Sequence, residues 1–228
     1  MYYKYALSNE CCKILIQNRR SKMKQLHETI PIEHLENFLD AIEDSEYKAL
    51  FLLILFCGMS WTEICHLRWQ SIDFDKRTIT AGGKSQKSRV IEVGDDVIQA
   101  LRERQAYMKK NKRRIPKGFN SYVFLDPLFT GFLEYEYTKA IVKEYGKQIR
   151  RYDISLKSLK RAFCMYYLAF NDLDVPKLCE VIGKSMATVM DLYVEGSRLV
   201  QADSRKRIQE YKDSPVIQAI TAVKLVKL

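Results

Sequence analysis

The chain has 228 residues, 47% of them hydrophobic, which is enough for one ordinary domain with a packed core and excludes disorder as its main state. Lysine and arginine number 38 against 28 acidic residues, a formal charge of +10 that points to a polyanion as partner, with nucleic acid ahead of a lipid surface. The longest apolar run, Ala49 to Cys57, falls well short of the roughly 18 residues of a membrane span, and the amino terminus lacks the apolar core of a secretory signal. An intracellular protein with no membrane partner is the expectation, and plain solubility charge is the alternative reading of the basic excess.

Residues 1–28 are basic and rich in tyrosine without an apolar period, and read as a tail or the remnant of a preceding domain. Leu35, Phe38, Leu39 and Ile42 then recur at helical spacing behind Pro31, a residue suited to a first helical turn. A helix over 46–57 has no polar face, which predicts a central, buried position, and Gly58 ends it. A third helix is expected over 61–70.

The stretch SIDFDKRTITAGGKSQKSRVIEV reads as three short strands carrying Ile72 and Phe74, Ile79 and Ala81, and Val90 and Val93. Turns at Asp75 to Arg77 and at Gly82 to Ser85 separate them. A helix over 96–110 leads into the basic connection KKNKRRIPKG, expected as an exposed loop, and further helices are expected over 134–150, 156–170, 175–182, 186–193 and 201–212. The fold class is therefore mainly α with a small three-stranded antiparallel sheet. A body over 29–200 and a carboxyl-terminal helical tail over 201–228 complete the division.

Cys11, Cys12, Cys57, Cys65, Cys164 and Cys179 lack metal-ligand spacing, and four of them lie in apolar helical patterns, so reduced thiols are expected. Neither a metal nor a cofactor is implied, and His27, His34 and His66 receive no role.

The segment GMSWTEICHLRWQSIDFD, followed by GGKSQKSRVIEV, resembles the first block and β-hairpin of tyrosine recombinases (integrases). Their general form is a G-L-R-x-x-E-x-x-x-L-x-W-x-D-I run and then a G-K-G-x-K-x-R-x-V-P turn; Gly58, Glu63, Leu67, Trp69, Ile72, Asp73, Lys84, Lys87, Arg89 and Val90 match in order. Near the carboxyl end, SLKRAFCMYYL and VIGKSMATVMDLYVEG resemble the family's H-x-L-R-H-x-F-A and L-G-H-x-x-x-x-T-x-x-Y blocks. The family's nucleophilic tyrosine lies ten residues beyond the glycine of that last block, and Gly183 to Tyr193 is ten residues. The resemblance implies the tyrosine recombinase catalytic-domain fold over about residues 30–200, with duplex DNA as partner.

In that family a tyrosine oxygen attacks a phosphodiester, and two arginines with a histidine or tryptophan stabilise the charge that develops on the nonbridging oxygens. A planar guanidinium suits this because it donates a fixed fork and keeps its charge near neutrality. A hairpin lysine protonates the leaving 5′ oxygen, and the tyrosine holds the strand end covalently.

Carried over residue by residue, Tyr193 is the candidate nucleophile and Lys84 the candidate general acid, with Lys87 as an alternate. The first arginine position is Ser60, the first histidine position Lys157, the second arginine position Lys160 and the second histidine position Lys184. Shifting the register by one would make Arg161 the second arginine, at the expense of the matches at Leu159 and Phe163. Losing a preorganised charged donor costs about 3 kcal/mol at the transition state, so an impaired or inactive enzyme is expected unless another guanidinium substitutes. By sequence proximity Arg68 and Arg161 are the candidates.

Each of these positions also has a purely structural reading. Ser60-Trp61-Thr62-Glu63 has the form of a capping box. Lys157 and Lys160 share a non-core helical face, Lys84 sits in an exposed turn, and Tyr193 is one of 14 tyrosines. The basic stretch over 102–117, with Arg102, Arg104, Lys109, Lys110, Lys112, Arg113, Arg114 and Lys117, is a solvated loop or a phosphate patch.

The leading reading is a catalytically degenerate DNA-binding protein with Lys84, Lys87, Arg89, Lys157, Lys160, Arg161 and Lys184 lining a basic cleft, acting on nucleoid or host-cell DNA. An active integrase and a protein-interaction module are its rivals. The tail VIQAITAVKLVKL resembles the end that recombinase protomers donate to a neighbour, which would make a homo-oligomer.

Overall fold

In a computed structural model of the chain, which describes residues 29–42, 45–83, 86–172, 174–190 and 210–226, the apolar run before Gly58 forms the central helix. Helix α1 (Ile32–Asp40) turns Ile32, Leu35 and Phe38 inward, and helix α2 (Ser45–Leu55) follows it. Every residue from Ala49 to Cys57 is buried, as a helix without a polar face requires. Gly58 has φ +60, and a Cβ there would lie 2.4 Å from the Phe163 ring, so only glycine permits this close turn.

Helix α3 (Trp61–Cys65) is shorter than the helix expected over 61–70. Long-range backbone pairing stops it: Val123 N donates to Leu67 O at 2.9 Å and Trp69 N to Ser121 O at 2.9 Å. Those bonds require an extended chain at Leu67 and Arg68, and a single turn of 3-10 helix over Trp69–Ser71 follows.

Strands β1 (Ile72–Asp73), β2 (Thr78–Gly83) and β3 (Gln86–Glu92) pair antiparallel in chain order. The sheet has four strands, not three. The fourth, β4, comes from the tail, which sequence periodicity assigned to helix alone.

Helix α4 (Asp95–Lys110) is followed by α5 (Tyr135–Gln148), α6 (Leu156–Phe170) and α7 (Val175–Ile182), close to the expected positions, and by the short α8 (Met186–Val189); residues 191–193 of the helix expected over 186–193 lie outside the described residues. Helix α2 packs between α4 and α6, which makes it the spine of the core. Among the described residues no helix is long and apolar enough to cross a membrane.

Residues 201–209 of the helix expected over 201–212 lie outside the described residues. Beyond them, α9 (Pro215–Ala222) buries Val216, Ile217 and Ile220 against α1 and α6, and β4 (Lys224–Val226) pairs with β3 through Val90 and Val226, Ile91 and Leu225, and Glu92 and Lys224. Ser214 Oγ donates to Glu36 Oε1 at 2.6 Å, and the Tyr211 hydroxyl bonds Glu33. The end of this chain therefore closes on its own body.

Cys57, Cys65 and Cys164 are buried thiols outside any disulfide among the described residues, and Cys179 is half-buried; Cys11 and Cys12 lie outside the described residues. Burial pushes the Cys57 thiol up to about 12, which leaves it inert as a nucleophile near neutrality.

Candidate phosphate site and nucleic-acid interface

Ser60, carried over by resemblance as the first arginine position, is committed to holding a helix end. Ser60 is the N-cap of α3, accepting from Glu63 N while its own N and Oγ donate to Glu63 Oε2 at 2.8 and 2.7 Å. This is the capping box that the sequence spells, and it exists because the first turn of any helix has amides without intrahelical partners.

The same carboxylate reaches across to the hairpin. Glu63 Oε1 accepts from Arg89 Nη1 at 2.5 Å, in an ion pair whose side chains are only 2% and 5% exposed. Burial by itself would raise the Glu63 carboxyl, but the Arg89 bond and charge, with the Ser60 cap, hold it below its ordinary value. Arg89 Nε donates to Val181 O at 2.5 Å, tying the hairpin to α7.

Gly183 makes room for this. It ends α7 in the left-handed region at φ +63, and a Cβ on it would stand 2.8 Å from Arg89 Nη1.

Arg89 is thus an interior residue rather than an outward-facing lining of a basic cleft. A signal for this was present: in β3, Arg89 and Ile91 alternate with the exposed Ser88 and Glu92, and Val93 continues the inward face. Val90, which periodicity placed inward, is half-buried on the other face.

Lys160 lies beside this pair. Its ammonium is wholly covered and has no hydrogen-bond acceptor among the described residues. Burial pushes its pKa below its ordinary value of 10.5; Arg89 and Lys184 push the same way, while Cys164 and Glu63 oppose them. Lys184 is half-buried just past Gly183, its amide donating to Cys179 O at 3.1 Å. Ser60, Glu63, Arg89, Lys160, Gly183 and Lys184, drawn from four separate stretches of sequence, therefore converge.

Lys157 is exposed and Arg161 half-buried on α6. Lys84 and Tyr193 lie outside the described residues, as does the side chain of Lys87, whose backbone belongs to β3. Arg68 points elsewhere: its Nη2 donates to the Tyr122 hydroxyl at 2.9 Å and its guanidinium stacks 4.8 Å from that ring.

Lys109 and Lys110 are exposed at the end of α4, and Lys112, Arg113 and Arg114 are exposed on a 3-10 turn, with Arg114 stacked on Phe129. Arg104, expected in the same basic stretch, is fully buried instead. Its Nε donates to Val123 O at 3.0 Å and its guanidinium lies against the Tyr107 and Phe124 rings, because it occupies the core-facing stripe of α4 with Leu101 and Met108. Among the described residues no three histidine, cysteine or acidic side chains converge as a metal site would require.

A mainly helical domain with a small antiparallel sheet is the fold of a tyrosine recombinase catalytic domain. The chain belongs to the phage integrase family, whose model matches residues 28–198. It is 23% identical over 175 residues to the tyrosine recombinase XerA of Pyrococcus horikoshii, covering 75% of this chain and 58% of that protein. Its fold is similar to the crystal structure of XerA recombinase, with a TM-score of 0.63 and 18% identity over 82% of this chain and 65% of that one. It is likewise similar to the XerH site-specific recombinase bound to difH substrate in a pre-cleavage complex, with a TM-score of 0.58 and 21% identity over 75% and 50% of the two chains.

Proposed function

We propose that this chain binds duplex DNA on the recombinase scaffold and that its capacity to cleave a strand is strongly impaired. The observation carrying this reading is Ser60, whose hydroxyl and amide are both spent on Glu63 at the position where the family presents a guanidinium. The lysine at the second arginine position keeps a charge but loses the planar fork. Exposed Lys157, Lys109, Lys110, Lys112, Arg113 and Arg114 supply phosphate contacts that need no chemistry.

Tyr193 is the nucleophile of whatever cleavage remains, with Lys84 as its general acid. Exchange of the carboxyl-terminal tail between protomers would replace the β3–β4 pairing within one chain by the same pairing between two. That pairing makes a DNA-bound homo-oligomer accessible without new contacts.

The test uses nicked suicide duplexes, denaturing gels and binding at several salt concentrations. The expected result is salt-dependent binding with no covalent adduct. An adduct that forms readily and disappears in Tyr193→Phe overturns the impaired-enzyme reading, and absence of duplex binding overturns the DNA-binding one.

A further inference from the structure

Two buried cationic donors at the site have no acceptor among the described residues. Arg89 spends Nε on Val181 O and Nη1 on Glu63, which leaves Nη2 covered and unbonded. Lys160 Nζ is covered and unbonded as well. Buried polar groups are nearly always hydrogen-bonded, and charged ones more strictly so, which makes two unmet cationic donors in one cluster a feature that needs a cause.

The charges point to what is missing. Arg89, Lys160 and the half-buried Lys184 carry three positive charges against the two negative charges of Glu63 and of Glu180 in the groove lining, and the Glu63 carboxylate already accepts from Ser60 and Arg89. One further negative charge with two or more acceptor oxygens would complete the cluster, and a phosphodiester is such a group. Access exists through an open groove of about 830 Å³, lined in part by Arg89, Gly183, Lys184 and Ser185. Gly183 leaves room for that guanidinium, since a Cβ there would stand 2.8 Å from Arg89 Nη1.

We propose that Arg89 supplies the guanidinium that Ser60 and Lys160 do not: its Nη2, together with Lys160 Nζ, donates to the nonbridging oxygens of one bound phosphodiester. This rests on the DNA-binding reading and extends it: Lys160 is the position carried over as the second arginine, and the new assignment is the hairpin arginine beside it. Nε and Nη1 keep the side chain in place, so the third nitrogen is preorganised at no further cost in side-chain order. Ligand entry requires a small opening, because Nη2 is covered in the unliganded chain.

The experiment measures thermal unfolding of the full chain with inorganic phosphate against chloride at equal ionic strength, in parallel with duplex affinity. The proposal expects phosphate to raise the melting temperature of the wild type. Arg89→Lys keeps the charge but removes the third donor, and is expected to abolish that increment and weaken duplex binding about tenfold or more. If Arg89 serves only to brace the hairpin, Arg89→Lys lowers the melting temperature without phosphate yet keeps both the increment and the duplex affinity, and the proposal falls.

Should Arg89→Lys not fold, Lys160→Met gives an independent reading: a retained full increment refutes the shared seat, and its loss in a folded variant supports it. A wild type that binds duplex but gains nothing from phosphate overturns this inference and leaves the DNA-binding reading standing. A wild type stabilised by phosphate through Arg89 that binds no duplex supports the seat and overturns that reading instead.

Discussion

Replacing Lys160 by methionine should make this protein more stable while weakening its hold on phosphate. The ammonium is buried with no acceptor among the described residues, and leaving a buried polar group unsatisfied costs about 1–3 kcal/mol. Attraction to Glu63 offsets part of that, but Glu63 is already neutralised at 2.5 Å by Arg89. Methionine is unbranched, similar in length and apolar, so it fills the same space without a charge. A net gain of about 1–2 kcal/mol follows, which for a chain of this size raises the melting temperature by roughly 2–8 °C.

The gain should also depend on pH. Lys160 has a folded pKa below its ordinary value of 10.5, so the folded protein binds that proton less tightly than the unfolded chain does. Stability of the wild type therefore rises with pH from the folded pKa up to about 10.5, and the penalty is full only below that window. Calorimetric unfolding of both proteins at neutral and alkaline pH should show the advantage of Lys160→Met shrinking as pH rises. A methionine variant that is less stable than wild type at neutral pH, or an advantage that does not change with pH, would refute the claim that this ammonium is unpaired.

Glu63→Gln removes the carboxylate from a buried pair and should cost about 3–5 kcal/mol in urea unfolding; a loss under 1 kcal/mol would mean the pair is not held in solution. Because the Glu63 carboxyl is held below its ordinary value, its contribution is present at neutral pH and lost as pH falls through the folded pKa, and acid titration of Glu63→Gln should lack that component. Ser60→Ala removes the cap and should cost about 0.5–2 kcal/mol. Ser60→Arg places a guanidinium at the vacant family position and should raise adduct yield on suicide duplexes by about a hundredfold if its absence limits cleavage; an unchanged yield would locate the defect elsewhere. Truncation after Tyr211 removes Val216, Ile217 and Ile220 from the core and should cost on the order of 5 kcal/mol by chemical unfolding, and an unchanged assembly state in that variant would argue against tail exchange.

Features set by near neighbours were legible in the sequence. The capping box at Ser60 lies within four consecutive residues, and the buried helix over 46–57 announces itself by lacking a polar face. Helices over 156–170 and 175–182 matched because apolar spacing and the Asp174 and Gly183 ends are local signals. What misled was context at longer range. The helix expected to continue from Cys65 stops because Leu67 and Trp69 bond residues 121–123, and Arg104 looked solvated only because its basic neighbours are. Lys84 and Tyr193, the residues proposed as general acid and nucleophile, rest on motif spacing alone and lie outside the described residues.

The sequence by itself determined the family, since an ordered set of motifs survives as a pattern along the chain. Only the tertiary structure decided what became of the charges that remain. The pairing of Arg89 with Glu63 spans 26 residues, and Lys160, far from both along the chain, feels the charges of Glu63 and Arg89 where its helix is packed. An ion pair and a desolvated ammonium are properties of neighbours in space, and in this chain those neighbours lie too far apart along the sequence for any local period to register them.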